Sequence, residues 1–135
     1  MTPPRDAAPS PSEPLAASTL WELVERRAAA TPDALLAIGE DDRAVSFAAY
    51  RDACVRVAAS LHALGVGAGT PVTWSLPTSI DAIVLEGALC RLGAQQNPVI
   101  PIYREREFGF ITRQTGARFL IVPPVFRGFA YGEMA

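Results

Sequence analysis

The stretch 89–122, reading LCRLGAQQNPVIPIYREREFGFITRQTGARFLIV, constrains this chain most. It sets a helix end, a strand, a proline-locked loop, a helix and a second strand one after another. Gly93 and Gly116 each follow a helical pattern and precede an apolar run, so each reads as a left-handed helix stop that turns the chain into a strand. Strands joined through helices pair in parallel. Between them, Asn97, Pro98 and Pro101 fix a loop at a strand's carboxyl end, which is where open α/β sheets hold their ligands. The expected fold class is α/β: a partial parallel sheet with helical crossovers.

The preceding residues extend the same pattern. Phe47, Tyr50, Cys54, Val57, Leu61 and Leu64 alternate spacings of three and four, which makes one apolar stripe on a helix capped by Ser46 and ended by Gly65. Residues 71–76 read as a strand, Ser79 caps a nearly all-apolar helix to Leu92, and residues 94–97 read as the next strand. Residues 104–115 form a helix with Phe108 and Ile111 inward and Glu105, Arg106 and Arg113 toward water, and residues 117–122 close the unit. Upstream, Thr19 and Glu22 fit a capping box that opens a helix to Ala30, and Thr31-Pro32 ends it. Residues 35–38 and 44–46 flank a polar turn and predict a small β-hairpin.

The two ends have a different composition. Residues 1–17 hold five of the twelve prolines among Ala and Ser and read as a disordered leader. Residues 124–135 read as a truncated tail, in which Phe126, Phe129 and Tyr131 follow no clear period. Aromatics in such a place are expected to need a covering surface, from further polypeptide or from a partner.

A net charge of -2 with a pI near 5.3 supplies no basic field for nucleic acid or anionic lipid. All twelve basic residues are Arg, so the side chains include no ammonium group for a Schiff base or a phosphate-loop lysine. Cys54 and Cys90 lie on different predicted helices without metal-ligand spacing and read as reduced core thiols. His62, the one histidine, has no acid or nucleophile near it in sequence and reads as a helix-surface residue. Asp81 and Glu86 are five apart and point to different helix faces, which disfavours a paired acid and base. Gly65, Gly67 and Gly69 follow a helix and precede a strand, the reverse of the order that aims helix amides at phosphate. Trp74 and Tyr103 read as packing aromatics rather than ligand stackers. No apolar run is long enough for a membrane span or resembles a secretory signal, so the expected compartment is the cytoplasm.

Taken in order, these segments resemble the N-terminal subdomain of the adenylate-forming superfamily, the AMP-forming acyl-CoA synthetases and their relatives. Val45-Ser46-Phe47-Ala48-Ala49-Tyr50 is similar to the first core motif of that family, a short strand followed by an aromatic and a helix. Residues 61–69, LHALGVGAG, resemble its helix-ending turn, and Arg91-Leu92-Gly93-Ala94 with Asn97-Pro98 resembles its second core motif. Glu105, Arg106 and Glu107, then Gly116-Ala117-Arg118, continue the pattern. Thr70 and Thr78 depart from it, standing where an acidic residue and an Asn are common.

The resemblance implies that residues 18–123 are an incomplete α/β subdomain of an ATP-dependent, AMP-forming acyl-CoA ligase for a fatty or other small carboxylic acid. ATP, Mg²⁺ and coenzyme A are the implied cofactors, and the missing C-terminal part of the same ligase is the implied partner. The family's phosphate loop, its magnesium and ribose carboxylates and its catalytic lysine belong to that later part, so the fragment alone is expected to be inactive. Arg104, Arg106 and Arg113 are the candidates for the coenzyme A phosphates, because some relatives place arginines on this helix near that cofactor. The competing reading of these arginines is a solvated face laced with Glu105 and Glu107. The alternative for the whole chain is a free-standing, non-catalytic α/β interaction module recruiting a partner through its sheet edge and aromatic tail.

Overall fold

The computed structural model describes residues 17–135. The expectation for residues 1–16 of the leader falls outside these. Helix α1 (Leu20–Ala30) opens where Thr19 Oγ1 accepts from the Glu22 amide at 3.1 Å. The Glu22 carboxylate reaches back one residue further than a capping box requires, accepting from the Ser18 amide at 2.7 Å. Strands β1 (Leu35–Ile38) and β2 (Ala44–Ser46) form the expected antiparallel hairpin.

Helix α2 (Phe47–Ala63) is capped by Ser46, whose Oγ accepts from the Ala49 amide at 3.2 Å. Its stripe is buried at Tyr50 and Cys54, whereas Leu64 lies just past the last turn, 69% exposed. Helix α3 (Ile80–Leu92) is capped by Ser79 and closed by Gly93 at φ 65°. It buries Ile80, Ala82, Val84, Leu85, Gly87, Ala88 and Leu89. Only Asp81, Glu86 and Arg91 are exposed on it, in keeping with its nearly all-apolar sequence.

Three strands, β3 (Pro71–Trp74), β4 (Gln95–Pro98) and β5 (Phe119–Ile121), make one parallel sheet in the order β4-β3-β5. β3 and β5 are shorter than the runs that announced them, and β4 is displaced by one residue from the expected 94–97. Pro98 closes β4 although it lacks an N–H, which an edge strand tolerates. Helix α4 (Glu105–Thr115) links β4 to β5 and ends at Gly116 with φ 61°.

Alternation along β5 divides the interior. Phe119 and Ile121 pack with Val66, Val72, Leu85 and Leu89 on the α3 face. Leu120 and Val122 pack with Val99, Phe108 and Tyr131 on the face covered by α4. A third cluster, Trp21, Val45, Tyr50, Cys54, Ile80 and Val84, joins α1 and the hairpin to the α2–α3 pair.

The terminal segment corrects the expectation that its aromatics await an outside surface. Phe126 and Phe129 exchange two backbone hydrogen bonds across a tight turn, and a short helix, α5 (Tyr131–Met134), follows. Tyr131 is fully buried against this chain's own Phe108 and Val99. The surface these residues needed is α4 and the end of β4, 20 to 30 residues upstream in sequence and therefore invisible to a local pattern.

Candidate functional site

The carboxyl ends of the parallel strands meet on one side of the molecule. Val99 N–H donates to the Trp74 carbonyl at 2.8 Å and Ser75 N–H donates to the Ile121 carbonyl at 2.9 Å, so β3 is bridged to both neighbours as it leaves the sheet. The strand order reverses at β3, with α3 and α4 on opposite faces. In such sheets ligands are held where the connections leaving two neighbouring strands go to opposite faces, here at the carboxyl ends of β3 and β4, from which α3 and α4 depart. The loop after β4, at which the sequence pointed, lies at this end of the sheet beside the exit of β3.

The central strand carries polar groups into this region. Thr73 and Ser75 are both fully buried and, by alternation, share the α4 face. Asn97 Nδ2 donates to Thr73 Oγ1 at 3.3 Å, tying the two strands by side chains as well as backbone. Ser75 Oγ has no hydrogen-bond partner among the described residues. On the other face Trp74 Nε1 donates to Gln96 Oε1 at 3.2 Å, and the Gln96 amide donates to the Glu86 carbonyl and to Cys90 Sγ. Trp74 is thus a packing aromatic, as its sequence setting predicts. Tyr103 stands more open, at 38% exposed.

The three candidate arginines separate. Arg104 is the N-cap residue of α4, its N–H donating to the Glu107 carboxylate at 3.2 Å. Its guanidinium donates to the Tyr103 carbonyl and to Tyr131 Oη, and it lies 4.4 Å over the Phe129 ring. Arg106 and Arg113 are exposed on α4, seven residues apart and so on one face about two turns from each other. Arg113 also stretches along its own helix past Gly109.

The remaining chemical groups are quiet. Burial pushes the thiols of Cys54 and Cys90 and the phenol of Tyr50 above their ordinary ranges, the opposite of an activated nucleophile. Cys54 and Cys90 are free, in keeping with the expectation of reduced thiols. His62 is exposed on α2 with Nδ1 3.3 Å from the Val66 carbonyl. Asp81 is at a surface ion pair with Arg43, 3.2 Å away. Among the described residues no three His, Cys, Asp or Glu side chains converge as a metal-binding group, and no helix is long and apolar enough to cross a membrane. Two hollows lie away from the carboxyl ends of the strands. One of about 140 Å³ is lined by Pro71, Gln95, Asn97 and Thr115, the other of about 310 Å³ by Arg43, Ala53, Arg56, Ile80 and Asp81.

Comparison with known proteins agrees with this architecture. Residues 24–132 match the family described as AMP-binding enzyme. The salicyl-AMP ligase / salicyl-S-ArCP synthetase of Mycobacterium tuberculosis is 33% identical over 121 residues, which cover 87% of this chain and 21% of that protein. The medium-chain fatty-acid–CoA ligase of Escherichia coli is 23% identical over 82% of this chain and 19% of its own length. Among solved structures, the N-terminal subdomain of Klebsiella oxytoca NpsA in complex with 3-hydroxybenzoyl-AMSN superposes with a TM-score of 0.75. It is 25% identical over 83% of this chain and 28% of that one. The chain therefore spans about a fifth of the length of these two curated relatives. With its doubly covered parallel sheet lying inside the matched residues, the chain belongs to the AMP-binding enzyme family of adenylate-forming ligases and corresponds to part of their N-terminal domain.

Proposed function

We propose that this chain is amino-terminal scaffold for an ATP-dependent, AMP-forming ligase that activates a fatty or other small carboxylic acid and passes the acyl group to coenzyme A. The observation that carries this reading is the β4-β3-β5 sheet, whose carboxyl ends face one side and whose residues fall wholly inside the family match. Residues 18–123 supply that framework, and the rest of such a ligase supplies the reacting groups.

Members of this family use ATP and Mg²⁺. The described residues do not fit either group. They include no lysine and no converging group of three His, Cys, Asp or Glu side chains, and the glycine-rich run 65–69 precedes a strand instead of opening a helix. Adenylation builds charge that positioned donors must meet, each worth about 3–4 kcal/mol, and none is assembled here. No chemical step is therefore assigned to this chain. Arg104, Arg106 and Arg113 are the residues proposed for the coenzyme A phosphates, Arg104 also donating to Tyr131 Oη. Such a scaffold works in the cytoplasm, beside the metabolites it serves.

ATP–pyrophosphate exchange with octanoate and with salicylate tests the reading. The 135-residue chain alone is expected to show none, and a hybrid with the remainder of the E. coli fatty-acid–CoA ligase is expected to regain it. Exchange by the chain alone overturns the scaffold role; a silent hybrid beside an active parent enzyme favours the free-standing module. Within an active hybrid, R106E with R113E is expected to raise KM for coenzyme A about tenfold while exchange is unchanged.

A further inference from the structure

We propose that residues 124–135 form a strap that locks the loop 99–104 at the carboxyl end of β4, with the Tyr131 hydroxyl as the lock and Arg104 as its positioning residue. Tyr131 Oη donates to the Pro101 carbonyl at 2.7 Å and accepts from the Arg104 guanidinium at 2.5 Å. The same guanidinium donates to the Tyr103 carbonyl at 2.9 Å, so one side chain of the strap and one of the loop together hold two loop carbonyls. Packing fixes the phenol in place: its ring meets Phe129 edge-on at 4.8 Å and Phe108 at 6.2 Å, with Arg104 stacked over Phe129.

The strap also holds its own shape. The Phe126–Phe129 turn is closed by two backbone bonds, and the Gly132 amide donates to the Pro124 carbonyl at 3.1 Å, folding the segment back on itself. By contrast the loop has little internal support. Its amides bond at Val99 to Trp74, at Ile102 to Ile100, at 3.4 Å at Tyr103 to Ile100, and at Arg104 to the Glu107 carboxylate. Between these points it presents Ile100 and Ile102, 54% and 62% exposed, beside the strand ends. Burying a tyrosine whose hydroxyl is satisfied on both sides makes the orientation of those two side chains depend on a segment about 30 residues away.

This inference holds whatever ligand the ligase takes, and its test reads backbone protection, not turnover. Amide hydrogen exchange is measured on the full 135-residue chain for wild type, Y131F, R104A and R104K. Y131F keeps the ring and removes the hydroxyl's hydrogen bonds; R104A removes the cation and leaves the tyrosine in place. Both are expected to speed exchange at Ile102 and Tyr103 about tenfold while α2 amides change less than twofold, and R104K is expected to recover part of the protection. Unchanged rates at Ile102 and Tyr103 in both variants would overturn the lock. So would a rise shared equally with α2, or an unprotected loop in the wild type.

Discussion

The phenol of Tyr50 occupies the space where a side chain on Gly87 would begin. A methyl carbon placed on Gly87 also falls 2.6 Å from Cys54 Sγ, so α2 and α3 approach closely only because this residue is glycine. The Tyr50 hydroxyl uses the gap to donate to the Ile83 carbonyl at 3.1 Å. Gly87→Ala is expected to destabilise the fold by about 1–3 kcal/mol, the ordinary cost of overpacking a core. Melting of Gly87→Ala, Tyr50→Phe and the double variant checks this. The double variant is expected to lose less than the two single losses combined, because removing the hydroxyl opens room for the methyl.

Two buried hydroxyls on the central strand are expected to respond in opposite ways. Thr73→Val strands the Asn97 amide that donates to it and should cost about 1–2 kcal/mol. Ser75→Ala removes an oxygen with no partner among the described residues and should be neutral or slightly stabilising. Denaturant midpoints of the two variants decide; equal losses refute the distinction.

The tight turn of the strap places Arg127 at φ 48° and Gly128 at φ 76°, a pair of left-handed conformations that Asn and Gly adopt with least strain. Arg127→Asn is expected to raise stability by a few tenths of a kcal/mol up to about 1, and Gly128→Val to lower it by more. Thermal melts read both changes.

Alkaline pH should weaken the fold. Burial raises the folded-state pKa of Cys54 and of Cys90 above the ordinary thiol value of 9.0, so each proton is held more tightly in the folded chain than in the unfolded one. The stability this contributes is complete below pH 9.0 and is lost as pH climbs through the raised values, with Tyr50 adding to the fall above 10.0. Stability measured from pH 8 to 11 should therefore decline, and Cys54→Ala should decline less steeply. A flat profile in the parent would contradict the burial of these groups.

Glu22 behaves in the opposite sense. The Ser18 amide and then Arg26 hold its carboxylate below the usual value of 4.5, so its contribution is present above that pH and fades as acid protonates it. Glu22→Gln is expected to flatten the acid limb of helix α1, followed by hydrogen exchange near Ser18.

Helix starts and stops were legible in the chain because they are local chemistry. Thr19, Ser46 and Ser79 cap with their own side chains, and Gly93 and Gly116 adopt the left-handed conformation that a β-carbon resists. The lengths of β3 and β5 were overread, since their apolar runs continue past the residues that actually pair. The candidate arginines were chosen by kind and position, but Arg104 is drawn to Tyr131 and Phe129, residues 25 or more positions away that sequence spacing could not associate with it.

The amino-acid order alone determined the alternation of strand and helix from Pro71 onward, the hairpin before it and the parallel sense of the sheet, because capping, proline geometry and hydrophobic period act over a few residues. Tertiary structure decided that β3 lies between β4 and β5, that α3 and α4 cover opposite faces of the sheet, and that the last twelve residues cover α4. Those outcomes depend on which apolar faces exclude water together, a property of the whole folded chain that no short stretch carries.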